Sequence, residues 1–314
     1  MKRNIYIASC NDIGGLYRYE MNESGMLEFK SKTDMSLPMY MAEENNKMYV
    51  LLRQPVKDSD ESGLIVYDID SNGDLANPSG ITMTKGIVAC HLSVDNGTVY
   101  CVNYLSGNVV KLPDTVVTHS GKGPHPTRQT SPHTHFVCVT HDGYVLATDL
   151  GIDSIFTYTK DLKLVSQVKV PLGHGVRHLA FSEDKKYLYA VNELASTVSV
   201  FKYNDGHLEL LDTYDALPKD FSGESIAAAI RIRGNTVYVS NRGHDSVAVF
   251  KADGEKLKFE KFIMCGGKEP RDFNIFGDIL ISANQGSDNV TVINLKTDKI
   301  IQTVNGIKEP LCVI

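Results

Sequence analysis

Ten side chains spread between His91 and Arg271 have the types that handle anions and protons. His91, His133, His135, Arg177, His178 and Arg271 stand at or just before the start of short apolar runs, in the contexts C-H-L-S, P-H-T-H, V-R-H and P-R-D-F. Tyr104, Asp149, Glu193 and Arg242 stand at or just behind the ends of other runs. Arginine presents a rigid fork to a carboxylate or phosphate. Histidine takes or gives a proton near neutral pH. A glutamate among arginines stays ionised and can orient them. Plainer readings compete at several positions. Arg271 could pair with its neighbour Asp272, and His91 and His178 could be internal hydrogen-bond donors. The histidines at 119, 125, 133, 135 and 141 raise the question of a metal. No H-E-x-x-H or paired-cysteine pattern accompanies them, so a metal-independent site is the expectation.

Residues this far apart meet only if the fold brings them together, and a repeat does so. Gly173–Phe201 reads as three strands, Arg177–Phe181, Tyr187–Val191 and Thr197–Phe201, joined by tight turns. The end of the second strand recurs at Ser9, Leu52, Asn103, Asp149, Asn192, Asn241 and Asn284, at spacings of 43, 51, 46, 43, 49 and 43 residues. Short strands at such a period, with no helix, predict an all-β, seven-bladed β-propeller. The whole chain, 1–314, is then one domain, because no blade buries both its faces alone. The second copy carries an insertion from Gln54 to Ser62, and Leu112–Pro132 and Ala216–Ser225 read as irregular crossings. The chain starts on a second strand and ends on Glu309-Pro-Leu-Cys-Val-Ile, which has the pattern of a first strand. The C-terminal strand is therefore expected to complete the N-terminal blade and close the ring. In such a ring, loops before inner strands and after second strands open on one face around the axis. The ten residues fall on that face. The recurring Asn103, Asn192, Asn241 and Asn284 read as turn formers.

A net charge of −6 and the lack of basic runs argue against a nucleic-acid partner. No apolar run is long enough to span a membrane, and the N-terminus enters a strand without a signal-peptide pattern. Six cysteines without C-x-x-C pairing suit a reducing, cytoplasmic setting. No G-x-S-x-G, P-loop or G-x-G-x-x-G motif is present, so no nucleotide or other cofactor is expected. Oligomeric state leaves no mark on the sequence.

The chain resembles the lactonase family of seven-bladed propellers, which includes the cycloisomerase-2 type of 6-phosphogluconolactonase and the fungal 3-carboxy-cis,cis-muconate lactonizing enzyme. The resemblance is carried by P-H-T-H (132–135), D-L-G-I-D (149–153), G-V-R-H-L-A-F (175–181), N-E-L-A-S-T-V (192–198), S-N-R-G-H-D-S-V (240–247), P-R-D-F (270–273) and A-N-Q-G-S-D-N-V (283–290). It implies a polar axial pocket built from His133, Arg177, Glu193 and Arg242, with Arg271 a further anion contact. His135, His91 and His178 complete the candidate set. The reaction implied is hydrolysis of a small anionic sugar lactone, 6-phosphogluconolactone by default, in the pentose phosphate pathway. His133 or His135 would be the base, and Arg177 and Arg242 would hold the anion and the developing oxyanion. A lactone-forming cycloisomerase acting on an unsaturated dicarboxylate and a non-catalytic binding propeller are the alternatives.

Overall fold

A computed structural model describes residues 3–53, 56 and 59–314. Most of the segment 54–58 of the expected insertion lies outside the described residues. Seven antiparallel sheets follow one another along the chain, each a blade with its first strand innermost. Blade 5 shows the pattern: Val176–Phe181, Tyr187–Asn192, Thr197–Asn204 and His207–Asp215 pair in sequence order. Its outer hairpin turns at Asp205-Gly206, with φ of 46° and 75°, the conformation that a two-residue loop between right-twisted strands requires. Blades 2 to 7 each carry outermost strand pairing beyond the three strands that the sequence pattern predicts, split in blade 2 between Leu75–Ala76 and Thr82–Met83. These strands are half exposed and weakly alternating, as Leu164–Lys169 is, so periodicity hardly marks them. One of them, Thr115–Thr118, lies inside the stretch expected to be irregular.

The inner strand of blade 1 comes from the other end of the chain. Pro310–Val313 pairs with Arg3–Ser9, and Tyr6 and Ile314 exchange backbone hydrogen bonds of 2.9 and 3.0 Å. The ring is thus closed as the sequence suggests, and no inner edge is left open. The apolar core lies between neighbouring blades rather than on the axis. Val191, Val198 and Tyr189 of blade 5 pack against Ile230, Val239 and Phe250 of blade 6, and Ile5 and Ile7 of blade 1 meet Ile281 and Val290 of blade 7. A blade is stable because both its faces are covered. Among the described residues no helix is long and apolar enough to cross a membrane.

One local irregularity repeats in all seven blades. Where the inner strand begins to pair with the second, the register slips by an extra residue. The extra residues are Leu311, Met39, Cys90, His135, Arg177, Ala228 and Arg271 in blades 1 to 7; in blade 6 the slip also takes in Ala229. A bulge bends the strand and re-aims one side chain out of the alternation. Here it turns that side chain toward the axis.

Candidate active site

Two repeat positions, drawn from blades 2 to 7, build a cavity of about 240 Å³ at one end of the axis. The bulged residues contribute Met39, Cys90, His135 and Arg271, and the residues just after the repeating second-strand positions contribute Arg53, Tyr104, Glu193 and Arg242. Val88 and Arg128 complete the wall. Four arginines and one glutamate thus face a space smaller than the roughly 300–1,000 Å³ typical of sites for drug-sized ligands. Larger hollows of about 670 and 540 Å³ lie elsewhere. The first is on the outer part of blade 5. The second is the opposite mouth of the axis, where Arg231 is already paired with Asp272 at 2.7 Å. Neither gathers unmatched charge as the small cavity does.

Glu193 is the centre of the cluster. Its Oε1 lies 2.5 Å from Arg128 Nη2, and its Oε2 lies 2.9 Å from both Arg177 Nε and Arg242 Nη2. Burial opposes ionisation of this carboxyl, but Arg242, Arg177, His135 and Arg128 outweigh it and hold Glu193 well below the usual carboxylate range. Burial then crowding by like charge acts on the arginines. Arg177 is lowered to about 10 by burial and Arg242, with Glu193 opposing, and Arg271 to about 9 by burial, Arg242 and Arg177. Both remain cations at neutral pH.

The hydrogen bonding around this cluster is incomplete. Nε of Arg53, Arg177 and Arg242 and Nδ1 of His135 are buried without a hydrogen-bond partner. The 2.9 Å approach of Arg177 Nε to Glu193 is therefore an ion pair without an aligned N–H···O bond. Arg177 is fixed instead by donation from Nη1 to Ala228 O at 2.8 Å, and Arg242 by donation from Nη2 to Ala227 O at 3.0 Å. Unmet buried donors are rare, and where they converge they mark a place for a ligand.

The candidate histidines separate. His135 lines the cavity; burial and Arg177 push its imidazole well below the ordinary value, so it is neutral. His133 stands outside the lining. Its ring stacks on Tyr104 at 4.4 Å between centroids, and its Nδ1 is 3.0 Å from Tyr104 O. His91 and His178 lie deeper on the axis, 5.3 Å apart, packed with Tyr40 and Phe136 into a plug below the cavity. Burial and nearby arginines keep both well below the ordinary histidine value. His178 meets the cluster through Arg177 Nη1, at 3.2 Å, and packs edge-on against His135 at 5.4 Å between ring centroids. Asp272 does not pair with Arg271: it faces the other way and binds Arg231, and among the described residues Arg271 has only a 3.3 Å bond to Gln285 Oε1. The recurring asparagines are buried and tie their turns, as Asn192 does to Thr197 and Ser199 at 2.9 Å.

Sequence reasoning missed Arg53 and Arg128. Arg53 follows Leu52 as Glu193 follows Asn192, so the repeat already put it on the rim. Asp149 was one step out of that register. It is buried and caps the turn Leu150–Ile152, and its carboxylate accepts from His133 N and Gly151 N at 2.8 and 2.9 Å. Gly151 lies so close to the P-H-T-H segment that a Cβ would sit 2.0 Å from Ser131 O. Arg128 comes from the crossing between blades 3 and 4 and had no repeat to betray it. That crossing is pinned by His119, whose ring nitrogens meet Asp149 Oδ2 and the Tyr158 hydroxyl, each at 2.7 Å. It is pinned again by Gln129, which donates to Leu150 O and Asp153 Oδ1 at 2.8 and 2.7 Å. The histidines thus have separate partners, and among the described residues no three His, Cys, Asp or Glu side chains gather as a metal would require.

Comparison with known proteins agrees with this architecture. The family described as "Lactonase, 7-bladed beta-propeller" matches residues 4–314. An uncharacterized protein of Staphylococcus aureus (strain USA300) is 33% identical over 331 residues, covering 96% of this chain and 95% of its own. The periplasmic gluconolactonase PpgL of Pseudomonas aeruginosa superposes with a TM-score of 0.89 at 25% identity, over 100% of this chain and 99% of that one. A candidate 6-phosphogluconolactonase from Bacteroides fragilis gives 0.87 at 26% identity, over 99% and 97%.

Proposed function

Because the chain belongs to the lactonase family of seven-bladed β-propellers, we propose that it is a hydrolase opening a small anionic sugar lactone of the 6-phosphogluconolactone kind. The observation that carries the reading is the convergence of the unmet Nε–H groups of Arg53 and Arg242 and the neutral imidazole of His135 on one small cavity, with Arg177 paired to the Glu193 that lines it. Donors fixed by other bonds and lacking acceptors are preorganised for charge that develops during reaction. His135 takes a proton from water as its oxygen bonds to the lactone carbonyl carbon. The carbonyl oxygen becomes an oxyanion facing Arg242, whose partner Glu193 is shared with Arg177. The ring C–O bond then breaks, and the proton passes from His135 to the departing alkoxide, leaving a hydroxy acid. Glu193, held ionised, orients the arginines rather than moving a proton. His135 is preferred to His133 as the base because only His135 lines the cavity.

Six unpaired cysteines support a cytoplasmic location, and 6-phosphogluconolactone as substrate would set the protein in the pentose phosphate pathway. The test is base consumption in a pH-stat with freshly made 6-phosphogluconolactone and gluconolactone. Saturable turnover lost in Arg242→Ala is expected. No turnover of either lactone, by protein shown to be folded, would overturn the reading and favour lactone formation from an unsaturated dicarboxylate, which the same arginines could hold.

A further inference from the structure

The arginines of the cavity divide into two groups. Arg128, Arg177 and Arg242 share Glu193 on the side of blades 4 to 6. Arg53 of blade 2 and Arg271 of blade 7 stand on either side of blade 1. Among the described residues neither has a carboxylate within ion-pairing distance. The Cys10 thiol lies beside both, Met39 lines the same wall, and among the described residues Gln285 accepts the hydrogen bond that Arg271 donates. Arg53 Nε is buried with no acceptor. One glutamate cannot balance five arginines, and Arg53 and Arg271 are the two that have no carboxylate paired with them among the described residues.

We propose that Arg53 and Arg271 form a subsite for the phosphate monoester of the substrate, distinct from the His135–Glu193–Arg242 centre where the lactone carbonyl reacts. The inference rests on the lactone-hydrolase reading above. A phosphate dianion is repelled by Glu193 and drawn to the two uncompensated guanidinium forks, which match its oxygens in pairs. With the phosphate anchored there, a cavity this small leaves the sugar ring one direction in which to extend, toward His135 across the axis. The subsite therefore orients the carbonyl as well as holding the ligand, and the protein discriminates phosphorylated from plain lactones.

The experiment compares kcat/KM for 6-phosphogluconolactone and gluconolactone in the wild-type chain, Arg53→Gln and Arg271→Gln. Calorimetric titrations with 6-phosphogluconate and gluconate run alongside. The wild type is expected to favour the phosphorylated lactone, and each variant to shrink that ratio by about tenfold to a hundredfold, the loss expected for a charge-assisted hydrogen bond. Arg53→Lys, which keeps the charge and loses the fork, should fall between. A wild-type ratio near one, or variants that slow both lactones equally, would overturn the subsite while leaving the hydrolase reading intact. If neither lactone is turned over but 6-phosphogluconate binds and Arg53→Gln abolishes it, the subsite stands and the hydrolase reading falls. Absence of both turnover and binding overturns both.

Discussion

Arg177 Nε approaches Glu193 Oε2 to 2.9 Å, yet that N–H has no aligned acceptor. The two are held together by charge rather than by a hydrogen bond, within a cluster that also includes buried Arg242 and partly exposed Arg128. Removing the one anion leaves buried cations facing one another. Glu193→Gln, nearly isosteric, is therefore expected to destabilise the protein by about 3–5 kcal/mol, the usual consequence of breaking a buried pair from one side. Urea unfolding at neutral pH measures it. A change under about 1 kcal/mol would mean that water or a bound anion already compensates the arginines.

The division of labour between the two histidines of P-H-T-H is open to a direct test. His135→Gln is expected to lower kcat by about 10²–10⁴-fold, the range for loss of a general base. His133→Gln should cost much less, acting only through the Tyr104 ring on which it stacks. Because burial and Arg177 hold His135 below the ordinary histidine value, it stays unprotonated as pH falls through about 6. The rate should hardly drop there. A kcat/KM profile falling with an apparent pKa near the ordinary histidine value, or a larger loss in His133→Gln, would reassign the base.

The fold was legible because the repeat multiplies a weak signal sevenfold. Each second strand, such as Tyr187–Asn192, is buried along nearly its whole length between two neighbours, so its apolar run survives in sequence. The half-exposed outer strands left little trace. At the site, Glu193, Arg242, Arg177 and Arg271 were found because they stand at repeat positions where most other copies carry uncharged residues. Arg53 occupies the same repeat position as Glu193, but the insertion behind it hid the correspondence. Which of His133 and His135 reaches the cavity could not be read from alternation, since a bulge at His135 re-aims its side chain. Arg128 could not be found by register at all, because it reaches Glu193 from an irregular crossing whose course depends on buried contacts such as His119 with Asp149.

The axial histidines make stability depend on acid. Burial is the main cause holding His91, His135 and His178 below the ordinary value, with neighbouring arginines adding to it. Unfolding releases them to titrate near 6.5, so below that pH the unfolded chain binds more protons than the native one. Their contribution is fully present above about pH 6.5 and is lost as pH falls. Each proton taken up steepens the loss by about 1.4 kcal/mol per pH unit. Glu193 adds nothing to this window, because its ionised form is complete in both states above about pH 5. Guanidinium unfolding at pH 7.5, 6.5 and 5.5 should show the decline, and His178→Gln should flatten it by one proton. A stability curve flat across that range would show that these imidazoles charge in the folded protein.

The closing strand is the last test of how the site is held. Deleting Pro310–Ile314 removes buried Leu311, Cys312 and Val313 and the ladder to Tyr6–Ser9, and it uncovers the edge of Arg3–Ser9, whose Ile5, Tyr6, Ile7 and Ala8 are buried and apolar. At about 1.5–3 kcal/mol for each large side chain returned to water, with backbone bonds lost besides, the cost is about 5 kcal/mol or more. That is comparable to the whole stability of an ordinary domain. Leu311 is also the bulged residue of blade 1, between the blades that carry Arg53 and Arg271. The truncated chain is expected to unfold at a much lower temperature and to associate through its open edge, as calorimetry and light scattering would record. A five-residue trim at this end with an unchanged melting temperature would mean that the inter-blade clusters alone hold the ring, and that the clasp adds nothing to the geometry of the cavity.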